Sequence, residues 1–444
     1  MTATEKTEAE KTETPRADPA GDAIGKVGWV FFLLGVVVVG IERGSLIGGY
    51  GAAAALAGAL MTVGGRFYRD REARRRGLPT RPAPWAFPLG VILVVLGAVM
   101  LLYPAFVTRI EFRALVAAFP YGPLVAVSFG FSGIAFLIDG LDRAAPAERP
   151  FALETHGPFW TKIGDLNPKR FFYDTWKELD REAGREREKK GSDGYTWGPI
   201  AVFCSGAVFL SLMEYYGHAP SLRELVDHFD PIGRMGPPET FFAVVRDSPF
   251  RRLIEFVWWS GWRVLGFFLL PAFVIRVILR QRITDHGLQT RGFTDHVWIY
   301  VLFFGIVLAL VGAVSYEDSF QTYYPFYNDA SRSWYDFWAW EALYAAQFFS
   351  LEFFFRGFWL KAGKRAMGSH AIYAMVVPYC MIHFGKPFLE TLAAIIAGVV
   401  LGTLALRTRS IWSGFLIHVS VAISMDIAAL MQTTGLPTEW WPDL

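Results

Sequence analysis

Apolar residues in this chain fall in long blocks rather than in stripes. Eleven such blocks lie at roughly 27–41, 46–65, 87–107, 115–138, 197–217, 253–278, 297–315, 338–360, 371–383, 389–406 and 411–432. Most approach the ~20 residues that a helix needs to cross ~30 Å of hydrocarbon. The blocks at 27–41 and 371–383 are shorter and suit tilted or re-entrant helices. The pattern predicts an all-α fold, a polytopic membrane helix bundle of about eleven transmembrane helices.

Composition sharpens this reading. Of 444 residues, 53% are hydrophobic and only 19% charged, with a net charge of +2. That balance excludes a soluble enzyme, a disordered chain and a nucleic-acid binder. Cys204 and Cys380 lie inside apolar blocks and read as buried thiols, without disulfide or CxxC metal spacing. Residues 1–26 are polar, lack the features of a signal peptide and read as a disordered tail.

Basic residues set the orientation. With the tail inside, inner segments carry 30 of the 43 Lys and Arg, outer segments ten and the spans three. By the positive-inside rule the N-terminus is cytoplasmic and the C-terminus outside. The expected setting is a plasma membrane, the inner membrane of a bacterium. The division that follows is a tail (1–26), a four-span region (27–138), a cytoplasmic segment (139–196), a three-span region with outer loops (197–337), a core (338–432) and an outer tail (433–444). Arg251 and Arg252 run against the rule on the outer side. The charged stretch FFYDTWKELDREAGREREKK reads as a juxtamembrane helix facing anionic lipid, with partner docking as the alternative. WAWE, YYPFY and the terminal EWW read as interfacial aromatic belts. Gly398 and Gly402 form a GxxxG that reads as packing.

An ionisable side chain at mid-membrane costs ~2.5–3.5 kcal/mol on insertion scales, so each one needs a reason. Arg263 is expected to pair with Glu255 or with another helix. The remaining groups concentrate near the C-terminal end. Glu352 and Arg356 are four apart on one helix face, and Glu341 lies about three turns earlier on that face. His383 ends the ninth block. Glu390 begins the tenth. His418 sits mid-block in the eleventh, with Asp426 two turns on. Counting rise from the inner boundary puts Glu352, His383 and His418 at similar depth, so they are expected to line one polar cavity. A neutralising Glu352–Arg356 pair and a hydrogen-bonded core histidine are the bland readings of the same residues.

LEFFFRGF, YCMIHFGKP and IWSGFLIH, in this order on adjacent spans, resemble the CAAX prenyl endopeptidase and bacteriocin-processing (CPBP, or Abi) family of intramembrane proteases. That family's pattern is Glu-Glu-x-x-x-Arg, then aromatic-x-x-x-His, then His with Asn or Asp four residues later. Glu352, Arg356, Tyr379, His383 and His418 match it. Leu351 stands in place of the first Glu and Ala422 in place of the Asn or Asp.

The resemblance implies hydrolysis of a peptide bond in a membrane-associated substrate, prenylated or C-terminally tagged, with lipid and a peptide or protein as partners. Glu352 would activate water, His383 orient it and His418 donate to the oxyanion, beside Arg356. A zinc ion on Glu352, His383 and His418 is the other route. Tyr379, Glu390, Asp426 and Glu341 would surround these groups. A catalytically silent scaffold or immunity-type factor is the competing expectation, prompted by Leu351 and Ala422. A secondary transporter is a third, though the chain shows no paired broken helices in two repeated halves.

Overall fold

The computed structural model describes residues 19–42, 45–75, 83–144, 167–189, 197–229, 245–290 and 297–444. Every regular element among them is helical. Eight helices are long and apolar enough to cross a membrane, and Ile299–Val314 and His370–Met381 are apolar but shorter. The block at 338–360 lies on a further helix that carries Glu341, Glu352 and Arg356. All eleven apolar blocks therefore fall on helices. The tail at 1–18 lies outside the described residues, as do 145–166 and 190–196 of the inner segment.

One compact unit takes in the described parts of 1–100 and 117–143. It holds α1 (Pro19–Ile41), α2 (Leu46–Arg75) and most of α3 (Ala86–Leu102). A short amphipathic helix, α4 (Arg109–Ala118), precedes its last member, α5 (Gly122–Ala144). The expected block 115–138 thus straddles two helices. Pro120 and Pro123 cause the break, since proline cannot continue a helix but suits the first turn of the next. Small residues let α1 and α2 meet backbone to backbone: a Cβ on Gly65 would stand 2.7 Å from the Gly21 carbonyl oxygen. Within this unit Arg66 is held by Asp139 at 3.2 Å and lies over the Trp85 ring.

The second unit, from the described parts of 101–116 and 144–444, contains α6 (Thr175–Lys189), α7 (Trp197–Tyr216), α8 (Ala219–Phe229), α9 (Arg251–Val264, prolonged to Ile278), α10 (Val297–Val314) and α11 (Trp334–Glu352). A π-helical stretch, Phe353–Trp359, carries α11 on into Leu360–Met367. It is followed by α12 (His370–Met381), α13 (Phe388–Thr408) and α14 (Trp412–Gln432). Cys204 is exposed on α7 and Cys380 half-buried on α12, so an apolar block did not imply a buried thiol; a membrane helix turns part of its apolar surface outward.

The start of α11 is closed from several directions. Ser333 Oγ accepts from the Asp336 N–H at 3.1 Å, as an N-cap does. The N–H groups of Trp334 and Tyr335, orphans of the first turn, donate to the carbonyls of Glu439 and Trp440. Asp336 accepts from Arg332 and from the Tyr327 hydroxyl. The aromatic segments here are not belts facing lipid. Trp340, Tyr327 and Tyr335 are fully buried, and Trp441 stacks on Tyr335 at 5.0 Å. Arg252 and Arg251, the exceptions to the charge rule, pair with Asp329 and Glu255. Glu255 is also held by Arg223 at 2.8 Å, so Arg263 lies over the rings of Trp259 and Phe267 instead.

Helix α6 is a strap docked on the core rather than a helix lying on lipid. Its Leu179 and Ala183 are fully buried. Asp180 accepts from the N–H and hydroxyl of Ser369, in the turn that begins α12. Gly368 in that turn has φ +61, and a Cβ there would collide with Asp180. Glu182 accepts from Lys364 at 2.7 Å and from Arg409 at 2.6 Å. The GxxxG of α13 packs as expected, with a Cβ on Gly398 only 2.9 Å from Val376.

Burial pushes the Glu182 carboxyl up, but Arg409 and Lys364 outweigh it and hold the group below the ordinary glutamate value of 4.5. A depressed folded-state value adds stability above the unfolded value, and that stability is lost as pH falls through the folded one. The strap should therefore stay docked above pH 4.5 and loosen below it. Hydrogen exchange of the amides of 175–189 checks this, and Glu182→Gln should raise that exchange already at neutral pH.

Candidate active site

Three helices and a turn bring the site together. Helix α11 supplies Glu352 at its end, and the π-helical stretch supplies Arg356. Such widened turns recur at functional sites. This one is braced from the side, because His286 Nδ1 lies 2.9 Å from the Gly357 carbonyl oxygen and donates to it. Helix α12 contributes Tyr379, the turn after it His383, and α14 contributes His418.

The centre is a buried ion cluster. Arg356 Nη1 lies 3.1 Å from Glu352 Oε1, and both side chains are 0% exposed. His418 Nδ1 lies 2.8 Å from the same oxygen. On the other side of the imidazole, Nε2 is 3.0 Å from the Tyr379 hydroxyl. A carboxylate cannot donate, so the proton belongs on Nδ1 and the tyrosine hydroxyl donates to Nε2. The imidazole stacks on Phe348 at 5.3 Å. Tyr379 also presents its ring to Arg356, with Cζ 4.3 Å from the centroid. Nε, Nη1 and Nη2 of Arg356 make no aligned hydrogen bond, which leaves donors for charge that develops beside Glu352.

His383 joins through Tyr379. Its Nδ1 donates to the Tyr379 carbonyl at 2.7 Å, and the two rings lie 4.9 Å apart. That bond fixes the tautomer and leaves Nε2 as an acceptor. The structure thus joins four predicted residues, Glu352, Arg356, Tyr379 and His418, directly and His383 through Tyr379. Glu352 has no exposed surface, so the expected wet cavity around it is closed.

The other predicted neighbours lie elsewhere. Glu390 is held by Lys386 at 2.7 Å and by the Tyr324 hydroxyl at 2.9 Å. Asp426 accepts from Trp340 Nε1 at 2.6 Å, and Glu341 faces it in a separate buried carboxyl pair. Leu351 and Ala422, which replace the family's polar residues, sit in two apolar clusters. The positions that depart from the pattern therefore offer no polar pocket.

The zinc option does not fit. Zinc prefers a tetrahedral set of N, O or S ligands. Both ring nitrogens of His418 are engaged, and Glu352 is held against a guanidinium that a dication would repel. No three His, Cys, Asp or Glu among the described residues gather as a ligand set.

Sequence reasoning missed Gly414. A Cβ there would run into Glu352 Oε2 and stand 2.7 Å from the carboxyl carbon. The glycine in IWSGF is the visible signal, since a small residue one turn before His418 makes room for a side chain from another helix. Gly414→Ala should destabilise the protein by about 1–3 kcal/mol through overpacking against a buried ion pair. Gly305→Ala, which meets open space, should be neutral or slightly stabilising. Thermal unfolding of both variants in detergent checks this.

Residues 333–424 match the family model described as type II CAAX prenyl endopeptidase Rce1-like. The match covers Glu352, Arg356, Tyr379, His383 and His418 and ends short of Asp426. No curated protein and no solved structure matches the chain. Residues 333–424, on the helices that assemble this cluster, are thus similar to the CAAX-type prenyl endopeptidases, membrane proteases of the CPBP family.

Proposed function

We propose that this integral membrane protein is an endopeptidase that hydrolyses a peptide bond of a membrane-associated substrate, prenylated or otherwise tagged at its C-terminus. The observation that carries this reading is the contact of Glu352 with both Arg356 and His418 inside the segment that matches the protease family. The expected setting is a bacterial inner membrane.

Peptide hydrolysis needs a base to take a proton from water and donors for the oxyanion that forms. Glu352 or the open Nε2 of His383 would accept the proton. The hydrogen bond of Tyr379 to His418 and the 2.8 Å contact of His418 with Glu352 would give the proton a route. Arg356 supplies the oxyanion donors. Hydrolysis would require the closed site to admit water from the His418 and His383 side, where the side chains are part-exposed.

The second reading is a catalytically silent membrane factor. The closed carboxylate and the buried Leu351 and Ala422 favour it. An assay separates the two. Purified protein in detergent is incubated with a farnesylated peptide ending in a CAAX sequence, and products are read by mass spectrometry. Cleavage is expected, with Glu352→Gln and His418→Ala each lowering the rate by roughly 10²- to 10⁴-fold, as for a general acid or base. Wild-type protein that leaves the peptide intact supports the silent reading. The rate should be unaffected by a zinc chelator; loss on chelation and recovery with zinc would overturn the glutamate route.

A further inference from the structure

The segments that the charge rule assigns to the inner side meet in unit two around a cleft of about 410 Å³. That size lies within the range of small-ligand sites. The strap α6, the loop before Gly287, the end of the α11 extension and the turn after α13 all contribute. Six basic residues line it against three acidic ones. One of the basic residues is Arg356, whose own side chain is 0% exposed and turned to Glu352, so the cleft wall backs onto the buried ion pair.

Inside the cleft a carboxylate is already bound. Both oxygens of Glu182 accept from Arg409, at 2.6 and 2.8 Å, and Oε2 also accepts from Lys364 at 2.7 Å. Two cations on one carboxylate make a strong charge-assisted site. Arg409 is held there at a backbone cost, with φ +58 in the left-handed region that side chains rarely occupy. The neighbouring cations Lys361 and Arg365 extend the positive wall.

We propose that Lys364 and Arg409 form a receptor for the terminal carboxylate of the peptide substrate, and that Glu182 of the strap fills it in the resting protein. The assignment rests on the protease reading above for the identity of the peptide, but not for the binding site itself. A carboxylate seated here directs the preceding residues of the peptide along the wall toward Arg356 and Glu352. The strap acts as an internal competitor that yields when the substrate enters. A peptide carboxylate is favoured over a lipid phosphate because the occupant that the site already holds is a carboxylate on a polypeptide.

The test measures binding rather than turnover. Full-length Glu352→Gln protein in nanodiscs is titrated with a fluorescein-labelled farnesylated peptide ending either in a free acid or in a carboxamide. Anisotropy should show the acid binding roughly ten- to a hundredfold more tightly, the span of a charge-assisted pair. Adding Glu182→Gln should widen the acid-to-amide ratio by about several-fold more, by removing the competitor. Lys364→Gln and Arg409→Gln, made separately in case one fails to fold, should each collapse the ratio. Equal binding of acid and amide, or a ratio unmoved by Glu182→Gln, overturns the proposal. So does a result in which the Lys364 and Arg409 variants lose phosphatidylglycerol but keep the acid preference, which would make the cleft a headgroup site. Failure of wild-type protein to cleave either peptide counts against the protease reading alone.

Discussion

A carboxylate in hydrocarbon must be neutralised, and the C-terminal helices are organised around doing so for Glu352. Arg356 meets it along the same helix, His418 from α14, and the missing side chain at Gly414 leaves room for it. Each of these supports the others. Without Arg356 the carboxylate would face the full cost of a buried charge. Without His418 the second lobe of Oε1 would have no partner. With a side chain at position 414, the Glu352 carboxylate or α14 would have to shift. Tyr379 closes the arrangement from α12 by offering a ring to the cation and a hydroxyl to the imidazole. The proposed chemistry would thus use the same few atoms that neutralise the buried charge.

The membrane architecture was legible from blocks of apolar residues because a helix in hydrocarbon must satisfy its own backbone. The pairing of Glu352 with Arg356 was legible because spacing along one helix fixes it. Contacts between helices were less so. Matched depth put His383 and His418 near Glu352, yet it could not tell that Tyr379 stands between His383 and the ion pair. Glu390 and Asp426 have the right residue types and the right helices, but Lys386 and Trp340 hold them in other polar groups. Aromatic segments near span ends carried a belt signal, and it misled at Trp340 and Trp441. Belts and buried outer cores share the same composition, and only packing separates them. Gly414 was visible as a letter, but its meaning lies in the side chain of another helix.

Helix α6 shows how a soluble-looking segment can belong to a membrane core. Its charge pattern is that of a lipid-facing helix, but its apolar face is covered by protein, and its Asp180 and Glu182 are spent on the α11 extension, the start of α12 and the turn after α13. Asp180 fixes one turn and Glu182 ties two others. The strap is therefore tied to the helices that carry Arg356 and Tyr379.

The carbonyls of Glu439 and Trp440 complete the first turn of α11. A ribosome delivers that helix to the membrane well before those carbonyls exist. During synthesis its N-terminal N–H groups are open, and the aromatic floor beneath Trp441 is unfinished. The first turn of the helix that carries Glu352 at its other end is thus closed only after residues 439 and 440 have been made. Loss of those two carbonyls would reopen the start of α11 without touching Glu352 or Arg356.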